Sequence, residues 1–337
     1  MSAPLVSVIV CSYNRAPLLD KCLASLCEQR LPLDEFEVIV VDNHSTDNSA
    51  EIIQSYLPRL SGLRATFEAN RNVSIARNLG CQLAQGEYVT YIDDDEIVPP
   101  EFLANLKGVI TRYAPDIVGG PVFPYFTTPK PRWFLDRYET RQFATESGFS
   151  LTCRVNGGNF TIRRDILLRV GPFDPKHGIH PGTLGEERKV LDTYRVGMPS
   201  EQQKVYYALE CYVHHHVAPE KMKRWYMISR RFIGGRSMTW IAHDVHGHRP
   251  AGHQVIQSAL RWPIRSARKI ARQVLGRAPA DQSLMEACAG ASYELGCLAA
   301  QAQIVWQRRR RPSAAPAAVT RQNTAGPAAK DTHAPTA

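Results

Sequence analysis

Three consecutive carboxylates, Asp93, Asp94 and Asp95, follow the run Tyr88 to Ile92, which is typical of a buried strand. Adjacent carboxylates at a strand end repel one another, and a divalent cation relieves that repulsion. Oxygen ligands favour Mg²⁺ or Mn²⁺, and such an ion can neutralise charge on a departing diphosphate. The alternative is a solvated acidic turn, which the other polar clusters of the chain make the weaker interpretation.

Two further polar clusters follow predicted strands. Ser12, Tyr13 and Arg15 come at the end of the first apolar run, and Asp42 ends the second. In open α/β sheets the carboxyl ends of the strands form the ligand crevice. A carboxylate at Asp42 can accept hydrogen bonds from a nucleoside, and we assign the alternative role of helix cap to Asp47.

Cationic and amide side chains precede the strand that ends at the acidic triplet. Arg71, Arg77 and Asn78 lie on or just before a predicted helix. Guanidinium groups pair well with phosphate oxygens, so this segment is a candidate for binding a diphosphate. The alternative for each arginine is a solvated charge on a helix surface.

The second half of the chain adds two candidate groups. Glu186 and Glu187 follow a glycine-rich loop, and such a carboxylate can take a proton from an attacking hydroxyl. A solvated pair of surface glutamates is the ordinary alternative. The run 214–216 consists of three histidines at the end of a strand-like segment, where His215 can complete a metal site. The alternative is a surface or interdomain histidine cluster.

Strands and helices must bring these groups together, and the hydrophobic pattern predicts such elements. Apolar runs alternate with helical periodicity, which predicts an α/β fold: a mostly parallel sheet with helices on both faces. The predicted strands are 5–13, 37–41, 88–92, 116–126 and 205–216, and the predicted helices are 17–29, 47–57, 74–85, 99–113 and 260–275.

The chain has 337 residues with a net charge of +9, and this charge is unevenly distributed. Residues 1–220 contain 22 Lys and Arg against 27 Asp and Glu, whereas residues 221–312 contain 17 against 4. We therefore predict a catalytic domain over 1–220, a basic helical region over 221–312 and a disordered tail over 313–337. An acidic body argues against a nucleic-acid-binding function.

The sequence pattern shows neither a signal peptide nor a membrane-spanning segment. The first residues show no basic segment and no signal-peptide cleavage site, and no apolar run reaches 18 residues. The eight cysteines are scattered without a CxxC pair, which is typical of reduced core cysteines. The prediction is a cytoplasmic protein.

Several enzyme classes lack their signature. The chain has no phosphate-binding loop ending in Gly-Lys-Ser/Thr, and no GxGxxG follows the first strand. A nucleotidyltransferase would place a glycine-rich loop with a lysine where residues 11–15 read CSYNR. That class and a catalytically inactive binding protein are therefore the weaker alternatives.

In combination, these motifs resemble the family 2 glycosyltransferases with a GT-A fold. The resemblance covers about residues 4–240 and is strongest for bacterial exopolysaccharide members of the succinoglycan type. The segments that carry it are 6–15, 40–47, 72–80, 91–96, 156–160, 171–174 and 185–187.

The resemblance implies an inverting, metal-dependent transferase that uses a nucleotide sugar, usually a UDP-sugar, with Mn²⁺ or Mg²⁺. It places the base at Glu187, although Glu stands where the family commonly has Asp, so Glu186 stays an alternative. Ser12, Tyr13 and Asp42 would hold the uridine. The implied diphosphate and metal residues are Arg15, Arg71, Arg77, Asn78, Asp93, Asp94, Asp95 and His215.

The basic region allows two interpretations. Four arginines lie beside an apolar helical face, namely Arg261, Arg265, Arg268 and Arg272. Such helices bind anionic lipid. Because exopolysaccharide acceptors are typically lipid-linked, peripheral contact with the cytoplasmic face of the inner membrane would serve the enzyme. The alternative is a helical subdomain that packs on the catalytic domain.

Overall fold

Strands and helices alternate through the first part of the chain, as the sequence predicts. The computed structural model describes residues 3–176, 183–274 and 280–310, without the side chains of 269–274, 280–281 and 309–310. The predicted tail, 313–337, lies outside the described residues, as do 275, 311 and 312. The strands are β1 Val6–Ser12, β2 Phe36–Asp42, β3 Leu63–Phe67, β4 Tyr88–Asp93, β5 Glu96–Ile97, β6 Ile117–Gly119, β7 Val122–Tyr125, β8 Gly148–Phe149, β9 Phe160–Arg163, β10 Val205–Tyr207 and β11 Val213–His216. The helices are α1 Ala16–Cys27, α2 Ser49–Tyr56, α3 Val73–Leu83, α4 Phe102–Tyr113, α5 Arg164–Val170, α6 Glu186–Gly197, α7 Arg224–His246, α8 Gly252–Val274 and α9 Ala280–Arg310.

Eight strands form the main sheet, in the order β3-β2-β1-β4-β9-β6-β10-β8. The first four are parallel to one another, whereas β9 runs antiparallel to both β4 and β6. The register pairs Ser12 with Asp42 and Cys11 with Asp93, so the polar clusters that follow β1, β2 and β4 meet at one edge. The predicted α/β fold is confirmed, and the sheet is mixed beyond β4.

Two predicted long strands are in fact divided. The run 116–126 forms β6 in the main sheet and β7 in a second sheet of order β5-β11-β7, and the run 205–216 divides likewise into β10 and β11. The break follows from Gly120 and Pro121. A Cβ at Gly120 would overlap the Cys211 carbonyl group, and Pro121 has no N–H to donate to a sheet. The division carries His215 away from the main sheet and toward β5.

Helices cover both faces of the main sheet, so its central strands are apolar on both sides. Alternate residues of β1 belong to different cores. Val8 and Val10 pack with residues of α1, α2 and α4, whereas Ile9 packs with residues of α3, α5 and α6. This burial fixes the strand ends, and therefore the polar groups that follow them.

The basic C-terminal region forms three helices. α7 and α9 cross closely at Gly235 and Gly296, where a Cβ on either glycine would overlap the backbone carbonyl group of the facing helix. The predicted helix over 260–275 is the later part of α8, which begins at Gly252, so Pro263 lies inside the helix instead of limiting its first turn. No helix in the described part of the chain is both long enough and apolar enough to span a bilayer.

Candidate active site

A cavity of about 670 Å³ lies at the carboxyl ends of β1 and β4. Its floor contains the acidic triplet 93–95, Arg77 and the pair Glu186 and Glu187. Residues of α7 and Tyr293 of α9 also line it. Most of the side chains predicted from sequence meet in this one cavity, although they come from segments more than 170 residues apart.

Asp94 is buried beneath the cavity and joins β1 to the acidic turn. Its Oδ2 accepts a hydrogen bond from the Ser12 hydroxyl at 2.8 Å, and its Oδ1 accepts one from Arg15 Nη1 at 2.9 Å. Burial raises the pKa of Asp94 to about 6, although Arg15 opposes that shift. Asp94, Ser12 and Arg15 therefore hold one another in place.

Asp95 is surrounded by cationic groups and by an imidazole. Its Oδ2 lies 3.2 Å from Arg15 Nη1, 3.3 Å from Lys221 Nζ and 3.4 Å from His215 Nε2. Burial alone would raise the pKa of Asp95, but His215, Lys221 and Arg15 hold it well below its ordinary value. Asp95 is therefore ionised at neutral pH.

Arg77 bridges the two acidic segments of the floor. Its buried guanidinium donates to Glu186 Oε1 at 2.5 Å and to Asp93 Oδ1 at 2.8 Å. Burial alone would lower the pKa of Arg77, but the carboxylates of Glu186 and Asp93 raise it above its ordinary value. The contact joins the end of β4 to the start of α6, which are 93 residues apart along the chain.

Glu187 differs from its neighbour in having no such partner. In the described part of the chain no side chain donates a hydrogen bond to its carboxylate, whereas Glu186 is paired with Arg77. Burial, and then the charge of Glu186, raise the pKa of Glu187 to about 7. A carboxylate in that range can accept a proton near neutral pH.

The segment Asn156–Asn159 approaches this floor closely because it contains two glycines. A Cβ at Gly157 would lie 3.1 Å from Arg77 Nη2 and 3.4 Å from Glu187 Oε2, and one at Gly158 would overlap the Glu96 carboxyl group. Side chains at these positions would displace the charged groups. The loop is therefore a backbone wall against the base candidate.

α7 holds the start of α6 in position. The Leu184 N–H donates to the Ser237 hydroxyl of α7 at 2.9 Å, and Gly185, with φ of +89°, caps α6 against Met238. The left-handed backbone favours glycine here. Because Glu186 and Glu187 follow at once, α7 determines where both carboxylates point.

The candidates for nucleoside and diphosphate binding do not all reach the cavity. Tyr13 lines it, with the Arg71 guanidinium stacked 4.2 Å from its ring centroid. Asp42 lies outside the lining and accepts the Ser45 N–H at 2.8 Å. Asn78 also lies outside, since its amide bonds both backbone groups of Phe173 at 2.8 Å. A contact of Asn78 with the diphosphate is therefore not supported by this arrangement.

The sequence of this cavity matches known proteins. Residues 7–171, just under half of the chain, match the profile of Glycosyl transferase family 2. Over these residues the chain is similar to the family 2 glycosyltransferases. A relative is the glycosyltransferase AglE of Haloferax volcanii, 30% identical over 191 residues that cover 56% of this chain and 62% of AglE. The chain thus matches less than two thirds of that relative's length.

Two solved glycosyltransferases share the fold. The mannosyltransferase PcManGT of Pyrobaculum calidifontis, in complex with GDP-Man and Mn²⁺, aligns with a TM-score of 0.59 and 20% identity over 91% of this chain and 89% of its own. Residues 1–349 of Staphylococcus aureus TarS, in complex with UDP-GlcNAc, align with a TM-score of 0.53 and 16% identity over 90% and 91%. At such identities the likeness shows the GT-A fold alone.

The predicted metal ligands, Asp93, Asp95 and His215, have side chains of the types that bind divalent ions. Carboxylate oxygens and an imidazole nitrogen are ligands for Mn²⁺ or Mg²⁺, and the Asp93 side chain is 39% exposed toward the cavity. Among the residues described, however, no three acidic, His or Cys side chains are gathered closely enough to hold one. Asp93 turns to Arg77, and Lys221 Nζ lies 3.0 Å from His215 Nε2.

Sequence reasoning missed the residues that α7 and its approach bring to the cavity. Lys221 contacts Asp95, and Arg230 and Arg231 line the cavity together with Arg154. The only available signal was the basic charge of residues 221–312, which we interpreted as a membrane or solvent surface. Nothing in the local pattern indicates that α7 folds back over the strand ends.

Proposed function

We propose that the protein is an inverting glycosyltransferase that moves a sugar from a nucleotide sugar, a UDP-sugar, to an acceptor hydroxyl. The observation that carries this proposal is Glu187. Its carboxylate has a raised pKa and no side-chain partner, and it faces a cavity beside Arg77 and the acidic turn. The donors named for the two solved neighbours, UDP-GlcNAc and GDP-Man, support the nucleotide-sugar class.

The donor would lie along the strand ends. Ser12, Tyr13 and Asp42 are the proposed uridine contacts, with Asp42 acting from the rim because its Oδ1 already accepts the Ser45 N–H. Arg71, stacked on Tyr13, would lie beside the nucleoside and its diphosphate. These residues belong to the paired, preorganised part of the cavity.

The metal site would consist of Asp93, Asp95 and His215. A divalent ion bound there supplies positive charge next to the departing nucleoside diphosphate. Lys221 places an ammonium against two of these ligands, so it must move when the ion binds. Asp94 serves as a support, since both of its oxygens are engaged by Ser12 and Arg15.

Glu187 would act as the base. It accepts the proton of the acceptor hydroxyl while that oxygen forms a bond to the anomeric carbon and the bond to the nucleoside diphosphate breaks. Attack from the face opposite the leaving group inverts the anomeric centre in one displacement. Glu186 is the weaker candidate because Arg77 holds its carboxylate.

The first test is release of nucleoside diphosphate by the purified protein. UDP- and GDP-sugars are each supplied with Mn²⁺, Mg²⁺ or EDTA, and Asp95→Ala is compared with Asp34→Ala, an exposed aspartate outside the cavity. We expect slow hydrolysis of one UDP-sugar that requires metal and is abolished only by Asp95→Ala. Equal turnover of both variants would overturn the metal assignment.

Absence of release with every donor, repeated after addition of a membrane lipid extract, would favour the alternative of a catalytically inactive binding protein. A nucleotidyltransferase would instead release pyrophosphate from a nucleoside triphosphate and a sugar phosphate. A second assay that supplies these two substrates and detects pyrophosphate therefore separates this class from the other two.

We further propose that the enzyme serves cell-surface glycan synthesis and contacts the membrane through α8. Ile256, Leu260 and Ile264 recur at every fourth position and are 61%, 72% and 57% exposed. The exposed arginines 261, 265 and 268 lie alongside this stripe. An apolar stripe flanked by arginines suits anionic lipid.

Vesicle flotation tests the membrane contact. The combined substitutions Ile256→Ser, Leu260→Ser and Ile264→Ser should abolish binding of the full chain to phosphatidylglycerol vesicles. The matched control is Leu168→Ser with Val196→Ser, which are 66% and 59% exposed elsewhere on the surface. Equal flotation of both variants would contradict the role of α8.

A further inference from the structure

Three arginines that line the cavity have no carboxylate partner among the described residues. Arg154 precedes the glycine loop, and Arg230 and Arg231 lie on α7. In the part of the chain that the structure describes, no hydrogen bond or ion pair occupies any of their guanidinium groups. We define Arg154, Arg230 and Arg231 as the arginine wall.

The other arginines of the cavity are engaged. Arg15 pairs with Asp94, and Arg77 pairs with Glu186. Nearer the wall, Arg141 pairs with Glu139. Charge neutralisation is therefore the rule in this cavity, and the arginine wall is the exception. Unpaired guanidinium groups that share one cavity repel one another, and an anionic ligand relieves that repulsion.

The wall faces Tyr293 of α9. Burial raises the pKa of the Tyr293 phenol, and the charges of Arg154 and Arg231 both oppose that shift, so both arginines act on this side chain. Arg231 lies on the helix that the Gly235 crossing holds against α9. Two of the three wall residues, Arg230 and Arg231, therefore lie on a fixed helix pair.

The position of the wall relative to the base indicates which substrate it serves. Arg154 is three residues before Gly157, the backbone of which closely approaches Glu187. The proposed uridine and metal contacts come from other elements, namely β1, β2, β4 with its acidic turn, and β11. A group bound at the wall would thus be near the base and separate from the donor contacts, which suits the acceptor.

We propose that the acceptor carries a phosphate or diphosphate and that Arg154, Arg230 and Arg231 bind it. This inference depends on the proposed glycosyl transfer and adds the chemical class of the acceptor. Guanidinium groups bind phosphate oxygens in bidentate fashion, so three of them match a diphosphate. The diphosphate can belong to a polyprenyl lipid or to a soluble sugar phosphate, and the exposed stripe of α8 favours the lipid.

The test is direct binding by calorimetry, with inorganic pyrophosphate and farnesyl diphosphate as probes, in EDTA, and with UDP measured separately. The test variant combines Arg154→Gln and Arg231→Gln in one chain. The control is Arg112→Gln, which changes an exposed arginine outside the cavity. The double variant should bind pyrophosphate at least tenfold more weakly, while its UDP affinity stays within twofold. Tighter binding of farnesyl diphosphate than pyrophosphate identifies a lipid source, and equal binding identifies a soluble one.

Two results would overturn the inference. Unchanged pyrophosphate binding by the double variant would show that the wall holds no phosphate, and a parallel loss of UDP affinity would assign the wall to the donor. Neither result depends on turnover. Failure of the acceptor inference is therefore distinct from failure of donor hydrolysis, which would contradict the proposed function itself.

Discussion

The floor and the arginine wall of the same cavity differ in whether their charged side chains are paired. On the floor, Arg77 is neutralised by Glu186 and Asp93, and Asp95 is held by three cationic or imidazole groups. On the wall, Arg154 and Arg231 have no partner among the described residues. Paired groups are fixed before a substrate arrives, whereas unpaired groups are available to bind one. The floor is therefore built for positioning and the wall for recognition.

Removal of a cation should therefore have very different effects at the two places. Arg77→Met leaves the buried Glu186 carboxylate without a partner, which costs about 3–5 kcal/mol for a buried ion pair. Arg154→Met removes an exposed, unpaired charge and should change the free energy of unfolding by no more than about 0.5 kcal/mol. Urea unfolding of both variants measures the contrast.

A similar loss of stability in the two variants would contradict this prediction, because the floor would then be no more dependent on ion pairing than the wall. Arg77→Lys serves as the control for charge alone. It keeps one cation but cannot donate to both carboxylates in the same way, so it should recover only part of the lost stability.

Glu187 is the exception on the floor, because no side chain in the described part of the chain donates a hydrogen bond to its carboxylate. Glu187→Gln keeps the shape but removes the base, and turnover should fall by about 10²- to 10⁴-fold. Because the pKa is raised to about 7, the wild-type rate should rise with pH through about 7 and then level off. Glu186→Gln is the matched control, and it should not remove this rise.

Stability should change with pH in the opposite direction. A carboxyl group whose pKa rises from 4.5 to about 7 on folding stabilises the fold while it is protonated. That contribution is complete below about 4.5 and is lost as pH rises through 7. The melting temperature of wild type relative to Glu187→Gln should therefore decline across this interval, and a constant difference would contradict the assignment.

The floor could be predicted from sequence because short motifs follow strands. The register of β1, β2 and β4 dictates where Asp93, Ser12 and Asp42 lie once the strands are recognised. The roles within the floor were less predictable. Asn78 binds the Phe173 backbone, and this contact depends on a loop 95 residues away that no local pattern announces.

The wall could not be predicted for a different reason. Arg230 and Arg231 belong to a helix whose position depends on a crossing with α9 at Gly235 and Gly296. Two glycines separated by 61 positions give no local signal of contact. Composition therefore showed the charge of this region but not the surface against which the charge lies.

Lys221 stands between the two regimes and gives the smallest expected effect. It belongs to the basic segment, yet its ammonium contacts the floor at Asp95 Oδ2 and His215 Nε2. If it competes with a divalent ion, Lys221→Met should bind Mn²⁺ about tenfold more tightly, since one like charge at contact distance is removed. Electron paramagnetic resonance of free Mn²⁺ measures this affinity without donor or turnover.

Lys223→Met, at an exposed neighbouring position, should leave the Mn²⁺ affinity unchanged. Weaker Mn²⁺ binding by Lys221→Met would mean that the ammonium orients the ligands instead of opposing the ion, and Lys221 would then belong wholly to the floor.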